Sequence, residues 1–168
     1  MMILLRLLHV VIGIFWVGSM MFTTFFLFPS LAGDPAVMGQ VMQGLMRRRL
    51  MQVLPAAALV TILSGLWMVW LTSGGNVGAY VHTPAGHWFT TGGGLAIVGF
   101  VLGLAFARPA AMKAARIGAQ MASVTDASEK SRLQLEMKGL QQRNALITLV
   151  VATLLILAAA VMATARYL

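Results

Sequence analysis

The chain carries three histidines and no cysteine, so metal or redox chemistry would have to rest on imidazole, carboxylate and thioether groups. His9 lies inside an apolar run, too deep to be plainly solvated. It shares a face with Gly13, Trp16 and Met20, which follow at intervals of four, three and four residues. An imidazole at that depth needs a partner. It can ligate haem iron, coordinate a metal, or hydrogen-bond to a neighbouring helix or to water. Gly13, one turn on, leaves room for a flat group or a neighbouring backbone. His87 is the natural second ligand, because it opens another apolar run on the same side. His82 reads as a solvated loop residue. Three histidines with Met20 or Met21 as soft donors would suit copper, although thirteen methionines in so apolar a chain are mostly filler.

The elements that must position these residues are helices. The chain has 168 residues, 60% of them hydrophobic, and a mean hydropathy of +0.87. Four apolar stretches, at about 3–30, 51–72, 88–107 and 144–165, are each long enough to cross a hydrocarbon core of ~30 Å. Backbone groups in lipid must be satisfied internally, so the expected architecture is an all-α, four-helix transmembrane bundle forming a single domain over 1–168. Pro29 is expected to stop the first helix. Residues 36–50 read as a short amphipathic helix at the membrane interface, with Val37, Val41 and Leu45 on its apolar side. Pro55 is tolerated early in the second span, and Trp67 and Trp70 close that span as an interfacial belt. Gly92, Ala96, Gly99 and Gly103 form a small-residue face on the third span. A helical extension of that span should break near Ser123–Ser128. The last span has no titratable residue and reads as packing.

Of the twelve Lys and Arg residues, all but Arg6 and Arg166 lie in the connections 31–50 and 108–143, while 73–87 has none. Basic loops stay in the cytoplasm, so both termini are expected outside, with His9, His82 and His87 near that outer face. The net charge of +8 then reflects topology and contact with anionic lipid rather than nucleic acid. The run from Leu7 to Phe28 exceeds a signal-peptide core and is preceded by Arg6 alone, so it is expected to remain as a span.

The segment Leu8-His9-Val10-Val11, followed by Trp16-Val17-Gly18 and Phe28-Pro29-Ser30-Leu31, resembles the first helix of the HemJ-type protoporphyrinogen oxidase family. It is also similar to membrane proteins of the copper-resistance D (CopD) type. The resemblance continues at Leu45-Met46-Arg47-Arg48-Arg49-Leu50, Gly65, Trp88 and Arg143-Asn144. It implies an inner-membrane protein, here taken as bacterial, that binds b-type haem, with the motif histidine at His9, and that oxidises a porphyrinogen; electron exchange with a membrane quinone is the other enzymatic expectation. On that reading Gly13 and Trp16 would border the cofactor, and His9 and His87 would hold the iron. The family's lysine just inside the third helix falls at Gly92 here. The competing readings are a copper-handling membrane protein and a packing subunit of a membrane complex, in either case with a homo-oligomer open as an arrangement.

A cysteine introduced at Asn76 should react with an impermeant thiol reagent from outside the cell, and one at Ser128 only after permeabilisation. The reverse labelling pattern would contradict the topology.

Overall fold

Pro29, expected to stop the first helix, lies inside continuous helical backbone, and so does Pro109. The computed structural model describes residues 1–167, Arg166 by its backbone alone. Helix α1 (Met2–Phe22) widens into a π turn at Thr23–Leu27 and continues as α2 (Phe28–Leu31). Pro29 is therefore carried within the helix instead of stopping it. The Phe28 N–H donates to the Thr23 carbonyl, five residues back, which re-pairs the backbone just before the residue that has no N–H. Helix α3 (Pro35–Arg47) starts at an Asp34 cap, whose carboxylate accepts from the Ala36 and Val37 N–H groups. It is followed by α4 (Leu50–Thr72) and the short α5 (Val77–Val81). Between α3 and α4 the chain turns at Arg49, which has a left-handed φ of 56°.

Helix α6 (Pro84–Leu102) repeats the device of the first span. A second π turn at Gly103–Ala107 leads into α7 (Arg108–Ser123), and the Arg108 N–H donates to the Gly103 carbonyl immediately before Pro109. The break falls at 124–126, close to where composition placed it. Helix α8 (Ala127–Thr164) begins at Asp126, and Ala165–Tyr167 closes the described chain as a 3-10 turn. The Ser128 N–H and then its hydroxyl hold the Asp126 carboxyl below its ordinary value. Among the described residues every element is helical. Four helices, Met2–Leu31, Leu50–Thr72, Pro84–Ser123 and Ala127–Thr164, are long and apolar enough to cross a membrane.

The four long helices alternate in direction and form a ring in which α1 packs on α4 and α8, and α6 packs on α4 and α8. Helices α1 and α6 thus occupy diagonal corners, and the Trp16 and Phe100 rings meet edge to face across the centre at 6.3 Å. The small-residue face of α6 is where α8 lies. A Cβ at Gly99 would sit 3.3 Å from a Leu155 methyl, and one at Gly92 only 2.7 Å from Met162 Cγ.

A second core lies at the end of the bundle that carries α3 and α7. Met38, Met42, Ala115, Ile117 and Leu133 are buried there around the fully enclosed Met137. Helix α3 is amphipathic as expected, but much of its apolar side is covered by α7 and α8, while Val37 is exposed. The close crossing of α3 and α7 depends on two glycines. A Cβ on Gly118 would lie 2.5 Å from Gly39 Cα, and one on Gly39 2.6 Å from Gly118 Cα. Overpacking of this kind costs about 1–3 kcal/mol. Gly118→Leu should therefore lower the melting temperature in detergent well below that of Gly44→Leu, whose Cβ would meet nothing within 4 Å. Equal melting temperatures would show that the crossing is slack.

Candidate functional site

His9 is held by α4. Its Nδ1 lies 2.8 Å from the Thr61 carbonyl and 3.2 Å from Ser64 Oγ. A carbonyl can only accept, so Nδ1 carries the proton. The Ser64 hydroxyl donates to the Val60 carbonyl at 2.7 Å, which leaves its oxygen to accept a second share of the His9 N–H. In the Nδ1–H tautomer the lone pair is on Nε2. Among the described residues Nε2 has no hydrogen-bond partner.

The room for this ring comes from Gly65. A Cβ there would stand 2.9 Å from His9 Cε1 and 3.3 Å from Nδ1, so any larger residue would displace the imidazole. Ala57, Ala58, Thr61, Ser64 and Gly65 form a stripe of small and hydroxyl residues at helical spacing, and that stripe is what receives α1. Thr61 and Ser64 are the polar residues that reasoning from the sequence passed over. Their signal was a hydroxyl pair three apart inside an otherwise apolar span. Gly13, expected to clear space for a flat group or a backbone, faces the Thr61 methyl, 3.4 Å from where its Cβ would be. Trp16 is buried at 5% exposure in the bundle core.

His82 and His87 are both exposed at the opposite end of the bundle from α3 and α7. Neither side chain makes a hydrogen bond among the described residues. His9 and His87 stand on diagonal helices, and no interaction joins them. Among the described residues no group of three His, Cys, Asp or Glu side chains is arranged to hold a metal ion. At Gly92 the closeness of Met162 and of the Ala158 carbonyl, 3.0 Å from the Cβ position, leaves no room for a side chain such as lysine.

A cavity lies lower in the bundle. An apolar cleft of about 800 Å³, its open side included, runs between the four spans from Trp16 and Gly99 down to Phe28, Arg108 and Asn144. Met20 lines it; His9, Gly13 and His87 do not. Asn144 Oδ1 is buried without a hydrogen-bond partner.

Compared with known proteins, the chain is matched by no family model, no curated protein and no solved structure. Fold and geometry define an all-helical protein with four helices able to span a membrane, in which one imidazole is oriented by a neighbouring helix.

Nitrogen-15 NMR of histidine-labelled protein in micelles should show His9 as the Nδ1–H tautomer with slow proton exchange, and His82 and His87 exchanging freely. Gly65→Ala should bring the His9 exchange rate to that of the other two. A His9 signal unaffected by Gly65→Ala would contradict the packing of the ring against α4.

Proposed function

We propose that this chain is a haem b-binding integral-membrane protein of the bacterial inner membrane, of the HemJ/CopD-like kind, with its termini on the periplasmic side and His9 as the residue that would hold the iron. The observation that carries the reading is the hydrogen bond from His9 Nδ1 to the Thr61 carbonyl. A ligating histidine commonly donates its second ring N–H to a carbonyl or carboxylate, which fixes the tautomer and strengthens the donor nitrogen. His9 has that arrangement, with Nε2 unpartnered among the described residues and Gly65 leaving room for the ring. The donor chemistry therefore fits a haem with at least one histidine ligand. His87 is the second ligand in the bis-histidine form of the proposal.

Bound haem would supply a one-electron couple, tuned by its axial ligand and the polarity around it. The chain's own residues orient Nε2 through the Nδ1 contacts with Thr61 and Ser64, and the packing of α1 on α4 leaves the ring partly covered. Because Gly92 is closed by α8, a lysine-dependent oxidation of porphyrinogen has no counterpart at that position. Electron exchange with a membrane quinone is the form of activity we carry forward.

The His9→Ala protein should insert and fold but lose its haem, since removing the ring leaves an apolar helix suited to lipid. His82→Ala should retain the wild-type spectrum. His87→Ala should change the iron from six- to five-coordinate if the site is bis-histidine, and do nothing otherwise. A His9→Ala protein with full haem content would end the proposal.

A further inference from the structure

The apolar cleft adjoins a polar groove. The two share Leu104 and Arg108 as walls, and the groove continues between α7 and α8 past Arg116 and Arg132. Two of the groove's cations are already matched: Lys113 is bonded to Glu136 at 2.9 Å, and Arg132 faces Glu129 at 3.7 Å. The other two acids, Asp34 and Asp126, are taken up as helix caps. Arg108 and Arg116 are exposed and have no carboxylate partner among the described residues.

We propose that the cleft and the groove together bind an anionic glycerophospholipid, with one acyl chain in the cleft and its phosphate at Arg108 and Arg116. The length of the cleft supports a lipid tail. The first span borders it from Trp16 in α1 to Phe28 in α2, about 18 Å of helix axis, against ~15 Å for one leaflet's half of the hydrocarbon core. The charge supports an anionic head, because two unmatched guanidiniums stand where the apolar walls end. Hydrogen bonding supports a head that bears a hydroxyl. Asn144 Oδ1 is buried in want of a donor, which a glycerol headgroup has and a choline headgroup lacks. A neutral quinone would fill the apolar part and leave Arg108 and Arg116 unmatched. This site is separate from His9 and does not depend on the haem reading.

Native mass spectrometry of the full chain in mild detergent, after delipidation and titration with phosphatidylglycerol or phosphatidylcholine, tests the proposal. Wild type should retain phosphatidylglycerol in preference to phosphatidylcholine, on the order of tenfold or more for two basic contacts. The double variant Arg108→Gln/Arg116→Gln changes only exposed side chains and should fold. It should bind phosphatidylglycerol no better than phosphatidylcholine. Ala111→Phe, which fills the cleft wall, should weaken both lipids. Where its circular dichroism shows misfolding, Asn144→Leu replaces it and should reduce the preference for the glycerol headgroup. Lys130→Gln, outside both concavities, should behave as wild type. Equal retention of the two lipids by wild type would overturn the proposal. So would a preference that survives the double arginine variant, or a folded Ala111→Phe protein that binds like wild type. Displacement of phosphatidylglycerol by inorganic phosphate would reassign the groove to a free anion and overturn it too.

Discussion

A backbone in hydrocarbon has no water to bond to, and this requirement orders the rest of the molecule. It leaves helices as the solution for all four apolar stretches. It also explains what happens at Pro29 and Pro109. In water a helix can end at a proline and let solvent take the freed carbonyls. Here each proline follows a π turn in which the preceding N–H reaches five residues back, to Thr23 in one case and Gly103 in the other. The ladder loosens but stays paired, and the helical backbone runs on to Leu31 in the first case and through α7 in the second.

The same requirement governs the polar side chains within the spans. Thr61, Ser64 and Thr148 are buried, and each hydroxyl donates to a carbonyl three or four residues back in its own helix. His9 cannot be satisfied in that way and reaches across to α4. Interhelical hydrogen bonds of this type contribute on average about 0.6 kcal/mol in membranes, which offsets the cost of the imidazole without making it a stabilising device. A ring kept at modest benefit, with Gly65 making way for it and its second nitrogen unpartnered, is the physical ground for giving it a ligand's task. Close approach of the helices is the complementary requirement. Gly92 and Gly99 admit α8, and the latter stands one residue from Phe100, which meets Trp16 at the centre of the bundle.

The spans were legible because hydropathy at helical length is a strong signal, and the break near Ser123 because polar, small residues gather there. Continuation beyond the third span was expected, but continuation through Pro29 was not legible, since a proline before a polar segment reads as a stop and only the neighbouring packing favours a π turn. Helix α3 showed its amphipathic pattern, but a pattern cannot tell lipid from protein. The pairing of Gly39 with Gly118 joins residues far apart in sequence, and nothing local announces it. Of the site, the depth of His9 and its shared face with Trp16 could be read. Its partners Thr61 and Ser64 could not, because which hydroxyls meet an imidazole depends on how α1 is rotated against α4. The cleft escaped notice for a similar reason: its walls come from every span, and its one unpaired acceptor, Asn144, opens the last of them.

The haem reading meets its most direct test in the reduced-minus-oxidised absorption spectrum of the wild-type protein, purified from cells supplied with a haem precursor. The account predicts a Soret band with α and β bands on reduction, at a haem content stoichiometric with the chain. A folded protein that stays colourless, and remains so after haemin is added, would contradict it.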